Sequence, residues 1–406
     1  MQKLLQINVT ANRGSTGRIA EQIGEKVIAA GWESYIAYGR DCGASKSHLI
    51  KIGSRLGVLW HALMTRITDR HGLFSRIATK RLVRRINEIN PDIVHLHNIH
   101  GYYINYRTLF NYLNQADIPV VWTLHDCWSM TGHCTHFEIA KCDKWQSACY
   151  ACPQRDAYPA SLVLDRSKCN YLDKRQLFST VNNLTIVPVS NWLANIVRNS
   201  FLREKRISVI YNGIDVQMFH PCKNVELEKQ YNLGDKRVVL GVASPWSDKK
   251  GLSDILKLYT LLPRDKYQIV LIGLTPKQLN QLPAGVIGLC RTNSVSELAE
   301  WYSLSDVFVN LTYEDTYPTT NLEAISCGTP VVTYRTGGSP ESVTSQTGRV
   351  VDKGDINGVA RAVEEVCAED RETLRGHCRE YAVEHFDSSR NYNMYVDLYR
   401  EILNNK

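Results

Sequence analysis

The 406-residue sequence has no run of 18 or more apolar residues, which excludes a membrane-crossing helix. It shows no secretory leader pattern either. Met1-Gln-Lys-Leu-Leu-Gln-Ile-Asn8 alternates polar and apolar residues, without a long apolar core or a small-residue cleavage site. Neither a Gly-x-Gly-x-x-Gly fingerprint nor a Walker lysine is present, which weakens dinucleotide and ATP readings. Low-complexity segments and short-period repeats are absent. Charged residues at 22% and hydrophobic residues at 44% argue against a disordered or fibrous chain, and the length suggests two or three domains. A cytoplasmic protein is expected.

What is present is unevenly distributed. Residues 55–85 carry Arg55, Arg66, Arg70, Arg76, Lys80, Arg81, Arg84 and Arg85 against Asp69 alone, an excess equal to the net charge of +7 of the whole chain. Interspersed Leu56, Leu59, Trp60, Leu63, Ile67 and Ile77 would let this segment lie on an anionic membrane surface; a solvated helix face is the alternative. Because the charge is local, it implies no nucleic-acid partner. Peripheral attachment to the inner face of the cell membrane is the corresponding expectation. Six of the twelve cysteines, Cys127, Cys134, Cys142, Cys149, Cys152 and Cys169, fall within residues 127–169. In a reducing compartment such clustering reads as metal binding before disulfides.

The apolar pattern predicts an α/β chain. Leu4–Val9 reads as a strand, followed by the turn Gly14-Ser-Thr-Gly17 and a helix with Ile19, Ile23 and Val27 on one face. Ser34–Tyr38, Ile93–Leu96, Val120–Leu124 and Thr185–Val189 are further strands separated by helical patterns, as in a parallel layer. A polar stretch from Asn212-Gly213 to about Lys236 precedes a second series. Its strands are Val238–Val242, Gln268–Ile272, Val307–Leu311 and Pro330–Thr333, and its helices Gly251–Leu262, Val295–Ser303 and Leu322–Ser326. The expectation is two Rossmann-like domains facing a cleft, residues 1–214 and 215–386, with a Cys-rich insertion at about 127–169. A terminal helix over 387–406 repeats Tyr392, Tyr395, Val396, Tyr399 and Ile402 at helical spacing. Ligands in such sheets bind beyond the carboxyl ends of the strands.

Three motifs of the second half fall at such ends. Tyr313-Glu314-Asp315-Thr316-Tyr317-Pro318 leads into a helix carrying Glu323, an acid suited to accept ribose hydroxyls, and amides after Pro318 could face a phosphate. Ser244-Pro-Trp246-Ser-Asp-Lys249-Lys250-Gly251 ends a strand with two cations, which offset charge on a departing diphosphate. Gly337-Gly338 lets backbone amides approach a diphosphate because no Cβ intervenes.

The series resembles the retaining glycosyltransferases of family 4, whose signature has two acids separated by seven residues, then Ala, Gly-x-Pro and Val-Val. Asp315, Glu323, Ala324, Gly328-Thr-Pro330 and Val331-Val332 match it. Two departures stand out: the first acid is Asp rather than Glu, with Glu314 adjacent, and no Arg occupies the Ser244–Trp246 position. Among family members, the colanic-acid and capsule-type enzymes are similar in having Trp128-Ser-x-Thr-Gly132 and clustered cysteines after His125-Asp126.

The resemblance implies the GT-B fold, a nucleotide-diphosphate sugar donor held mainly by the second domain, and a glycan or lipid-linked acceptor in cell-surface polysaccharide biosynthesis. It implies retention of anomeric configuration and no metal cofactor for catalysis, consistent with the absence of Asp-x-Asp. Asp315, Glu314, His125 and Lys250 take catalytic roles. Glu323, Lys249, Ser244, Gly337, Gly338, Thr316, Tyr317 and Gly17 bind the donor, while Asp126 and His100 meet the acceptor. A nucleotide-sugar epimerase and a non-catalytic nucleotide-sugar binder are the alternatives. Cys134, Cys142, Cys149 and Cys152 are expected to hold a structural zinc, with buried thiols or disulfides as other readings. His95, His97 and His100 could share an ion, but lining of the cleft by His97 or His100 is favoured.

Overall fold

Runs such as Val120-Val-Trp-Thr-Leu124 and Leu184-Thr-Ile-Val-Pro188 are apolar without alternation and buried on both faces, as parallel strands covered by helices require. The computed structural model describes residues 1–222 and 225–405. The chain divides into two compact units, Met1–Tyr211 with Asn391–Lys406, and Asn212–Arg390.

The first unit contains strands β1 (Lys3–Asn8), β2 (Glu33–Tyr38), β3 (His48–Lys51), β4 (Ile93–Leu96), β5 (Val120–Leu124), β6 (Leu184–Pro188) and β7 (Arg206–Ile207). Its helices are α1 (Gly14–Ala29), α2 (Arg55–Thr68), α3 (Arg76–Ile89), α4 (Tyr106–Leu113), α5 (Ser167–Ser179) and α6 (Asn191–Arg198). The second unit contains α7 (Val225–Gln230), α8 (Leu252–Leu261), α9 (Pro276–Leu279), α10 (Val295–Leu304), α11 (Thr319–Ser326), α12 (Ile356–Ala368) and α13 (Arg371–His385). Its strands are β8 (Arg237–Val242), β9 (Tyr267–Ile272), β10 (Ile287–Leu289), β11 (Val307–Asn310), β12 (Val331–Tyr334) and β13 (Gly348–Val351). The terminal helix α14 (Ser388–Asn404) begins in the second unit and continues into the first.

Both sheets are parallel throughout, in the orders β3-β2-β1-β4-β5-β6-β7 and β10-β9-β8-β11-β12-β13. Strand order therefore reverses between β1 and β4 in one unit and between β8 and β11 in the other. Crossover helices leave in opposite directions at such a reversal, opening a gap beyond the strand ends. The Cys-rich insertion between β5 and α5 has two short 3-10 turns, Trp128–Met130 and Lys144–Gln146, and no strand. The interval expected to be only a polar stretch to Lys236 also contains α7, which Leu227 anchors by burial.

Helix α14 packs Tyr392, Tyr395, Val396, Leu398 and Tyr399 into the core of the first unit beside Leu4, Ile23, Ile93 and Val121. A buried polar chain fixes its register. Tyr399 Oη bonds His95 Nδ1 at 2.7 Å, His95 Nε2 bonds Thr123 Oγ1 at 2.8 Å, and Thr123 Oγ1 bonds Tyr395 Oη at 3.0 Å. Burial holds His95 well below the ordinary imidazole range, so the ring is neutral and each nitrogen has one partner. Tyr399→Phe removes one partner without opening a cavity, and leaving the imidazole unsatisfied costs about 1–3 kcal/mol. Urea unfolding should show that loss; no change in the midpoint would contradict the assignment.

Candidate functional site

The second unit gathers the charged motifs at its switch point. Beyond β8, a short 3-10 turn, Asp248–Lys250, brings Lys249 and Lys250 to the loop following β11. Lys249 Nζ donates to Glu314 Oε2 at 3.0 Å, and Lys250 Nζ to Asp315 Oδ2 at 2.9 Å. Both lysines remain partly exposed, whereas the Glu314 side chain is 5% exposed and that of Asp315 20%. The two loops are joined through backbone as well, Tyr313 N donating to Lys249 O at 2.8 Å. Gly251 is required here: it adopts φ +77°, and a Cβ would lie 2.2 Å from the Leu311 carbonyl oxygen.

Below this charged surface, buried polar groups hold the loops. Asn321 on α11 bonds Asn310 at 2.8 Å and both Ser339 and Ser342 at 3.0 Å, while Thr333 bonds Ser339 at 2.7 Å. The ends of β11 and β12 and the turn after Gly337-Gly338 are thereby fixed together. Asp254 accepts from Tyr313 Oη at 2.5 Å and Tyr334 Oη at 2.9 Å, anchoring the start of the acidic loop. Neither Asn321 nor Asp254 stands out in the sequence, because buried polar partners carry no local pattern. Glu323 lies one turn into α11 and accepts from the buried Tyr302 Oη at 2.9 Å. Thr316 and Tyr317 are buried in the loop before α11, with Tyr317 N donating to Asp315 Oδ1 at 3.3 Å. Gly337, at φ +52°, and Gly338 follow β12. Of the residues Ser244–Trp246, which stand where the family has Arg, Ser244 is exposed beyond β8 and Trp246 is buried, its indole donating to Ile272 O at 2.8 Å.

The first unit gathers a polar group at its own strand ends. His97 is buried beneath His125, with its Nδ1 3.2 Å from His125 Nε2 and its Nε2 3.0 Å from Gln6 Oε1. Its expected lining role gives way to a core position. His125, past the end of β5, is lowered to about 4 by burial and is neutral at pH 7. His100 Nε2 lies 2.7 Å from Asp126 Oδ2, and its Nδ1 lies 3.2 Å from Tyr158 Oη. Gly17 sits in the first turn of α1, where a Cβ would come within 2.6 Å of Thr10 Oγ1, so its small size serves loop packing. His95 takes no part in this group, being committed to α14.

The cysteine insertion brings the four expected zinc ligands to one place. Cys134, Cys142, Cys149 and Cys152 line one small cavity, yet among the described residues no three His, Cys, Asp or Glu side chains are gathered as metal ligands. Cys134 donates its thiol hydrogen to Cys152, whose pKa this bond lowers to about 7, and Cys149 Sγ accepts from Gly132 N at 3.2 Å. None of the twelve cysteines is in a disulfide. Lys174, also unforeseen, is buried with its ammonium 3.5 Å from the centre of the Trp128 ring and donates to the Trp128 and Thr131 carbonyls.

Comparison with known proteins agrees with this architecture. The family model described as Glycosyltransferase Family 4 matches residues 16–218, and that of Glycosyl transferases group 1 matches residues 224–385. Escherichia coli K12 WcaC, named for colanic acid biosynthesis glycosyl transfer, is 24% identical over 369 residues, covering 87% of this chain and 88% of WcaC. Sucrose-phosphate synthase from Thermosynechococcus elongatus superposes with a TM-score of 0.73 at 18% identity over the whole of both chains. Anabaena HepE in complex with UDP-glucose gives 0.66 at 15% identity, covering 99% of this chain and all of that one.

Asp126 supplies a pH test. Burial alone would raise its carboxyl, but the His100 charge and hydrogen bond outweigh burial and lower it to about 2. A depressed carboxyl stabilises the fold above its unfolded value near 4, and the contribution disappears as pH falls through about 2. Relative to Asp126→Asn, the wild type should lose about 2 kcal/mol between pH 5 and 2 in unfolding measurements. Parallel pH curves would show that the pair contributes nothing.

Proposed function

The chain belongs to glycosyltransferase family 4, and from that premise we propose that it moves a sugar from a nucleotide-diphosphate donor to a hydroxyl of a glycan or lipid-linked acceptor, with retention, in cell-surface polysaccharide synthesis. The observation that carries this reading is the two-lysine turn held against Glu314 and Asp315 at the β8/β11 switch point. Two ammonium groups paired with two carboxylates sum to zero charge, so the lysines are positioned without strong mutual repulsion. An arriving diphosphate competes for the exposed side of both ammoniums. As the sugar–phosphate bond breaks, negative charge grows on the leaving oxygen, and fixed cations stabilise that state more than the ground state.

In this scheme Lys250 and Lys249 hold the diphosphate, assisted by backbone amides at Gly337-Gly338. Glu323, oriented by Tyr302, accepts from the ribose hydroxyls. Asp315 and Glu314 orient the sugar, and the acceptor hydroxyl attacks the face from which the diphosphate departs, so the anomeric configuration is kept. Neutral His125 offers a hydrogen bond to a sugar hydroxyl without adding charge. Asp126, ionised at neutral pH, can accept a hydrogen bond from the acceptor hydroxyl, whose proton leaves with the departing diphosphate oxygen, and His100 positions the carboxylate. The lysine pair supplies the cationic charge that a divalent ion supplies elsewhere, so transfer should persist in EDTA.

The decisive experiment combines a nucleotide-sugar panel read by thermal shift with product analysis by NMR. A bound donor raises the melting temperature by mass action. Lys250→Ala should lower kcat by about 100- to 1,000-fold. Donor binding with no transfer to any offered acceptor would favour a binding protein, and a product of inverted configuration would refute retention.

A further inference from the structure

Helix α2 is inside out. Its exposed face carries Leu56, Leu59, Trp60, Leu63 and Ile67, a stripe at helical spacing with Leu56 78% and Trp60 59% exposed. Its buried face holds His61 and Thr65 beside Val58. Rotation cannot exchange the faces, because Gly72 N donates to His61 Nε2 at 3.1 Å and His61 Nδ1 bonds Ser75 Oγ at 2.8 Å. Beside this stripe, α3 turns Arg76, Lys80, Arg81, Arg84 and Arg85 outward and exposes Ile77. Arg55, Arg66 and Arg70 are exposed as well, and of all eight cations only Arg85 is paired with a carboxylate, Glu88, among the described residues. Asp69, the segment's one acid, is withdrawn into the interior, where it bonds His133 at 2.6 Å and Arg166 N at 2.7 Å. Between α2 and α3 lies an open cavity of about 650 Å³ lined by Trp60, Phe74 and Ile77 on its apolar side and by Arg76, Arg81 and Arg85.

We propose that the α2–α3 face docks on an anionic lipid bilayer, its apolar stripe entering the acyl boundary and the cavity receiving the phosphate of a membrane lipid on Arg76, Arg81 and Arg85. Charge complementarity selects this occupant. An apolar stripe alone would fit a protein partner or a neutral surface, and a cationic patch alone would fit any polyanion, but the two side by side match the headgroup phosphate and the acyl chain of one molecule. The proposal rests on the transferase reading only where that lipid carries the acceptor. Docking itself is independent of turnover.

The test uses the full-length protein with phosphatidylcholine vesicles with or without phosphatidylglycerol. Binding should require the anionic lipid and weaken with salt. The triple variant Arg81→Glu, Arg84→Glu, Arg85→Glu should bind at least about 100-fold more weakly, with an unchanged melting temperature showing that it folds. Trp60 is the one exposed tryptophan of eight, so brominated acyl chains should quench its fluorescence, and Trp60→Phe should bind but lose the quenching. Equal binding to neutral vesicles, an unaltered triple variant or absence of quenching would overturn the proposal. Displacement by soluble glycerol phosphate would also overturn it, assigning the cavity to a free phosphate. A protein that binds vesicles but no nucleotide sugar would sustain docking and refute the transferase reading.

Discussion

The reversal of strand order in each parallel sheet is the constraint on which the rest depends. In a parallel sheet every strand points the same way, so all loops that leave carboxyl ends emerge on one edge. Where the order reverses, the two central loops diverge, and side chains from both can reach into the space between them. In the second unit those loops are the ones after β8 and β11, which bear Lys249, Lys250, Glu314 and Asp315. The first unit repeats the geometry with the loops after β1 and β4, which bring Asn8 Oδ1 within 3.3 Å of Asn98 N. Chemistry is concentrated at these edges because elsewhere the strand faces are already buried under helices.

A gap between diverging loops is useful only if the loops hold still. Here the stiffening comes from buried polar side chains rather than from more apolar surface. Asn321 satisfies partners on the end of β11 and in the turn after β12, and Asp254 does the same for Tyr313 and Tyr334. Such groups have few alternative partners in an apolar surrounding, so they select one loop arrangement where oil-like packing would accept several. Close approach adds a steric restriction, since Gly251 leaves no room for a side chain against Leu311. The lysine turn is thus fixed from below by hydrogen bonds and from the side by backbone contact.

Much of this was legible in the sequence because the determining signals are local. β4 and β5 occupy the predicted spans, and β8 and β9 each begin one residue earlier than predicted, since unbroken apolar runs between helical patterns admit few other readings. The edge strands β3, β10 and β13 carry no such signal: they are short, incompletely buried and poor in continuous apolar residues. The lysine and acid motifs were visible as strand-end sequences, but their pairing spans 65 residues and needs the fold. The histidines show the same limit. His95, His97 and His100 lie within six residues, yet one binds the terminal helix, one lies beneath His125 and one holds Asp126. Spacing along a strand assigns faces, not partners.

The net charge, too, depends on where each group lies in the fold. As a sum, +7 counts Asp69 as cancelling one of eight cations in the basic segment. In the structure Asp69 faces inward, bound to His133, to the Arg166 amide and, through its carbonyl, to Asn170, so it ties the end of α2 to the cysteine insertion and offsets nothing at the surface. Burial of that one carboxylate therefore does two things at once: it anchors an insertion otherwise poor in secondary structure, and it leaves Glu88, paired with Arg85, as the one acid against seven cations on α2 and α3. Polar residues facing in and apolar residues facing out along α2 reinforce this division, since an exposed leucine stripe contributes nothing to folding in water. Stability of the first unit must then come from elsewhere, and α14 supplies part of it by packing three tyrosines against β4 and β5, two of them hydrogen-bonded to His95 and Thr123.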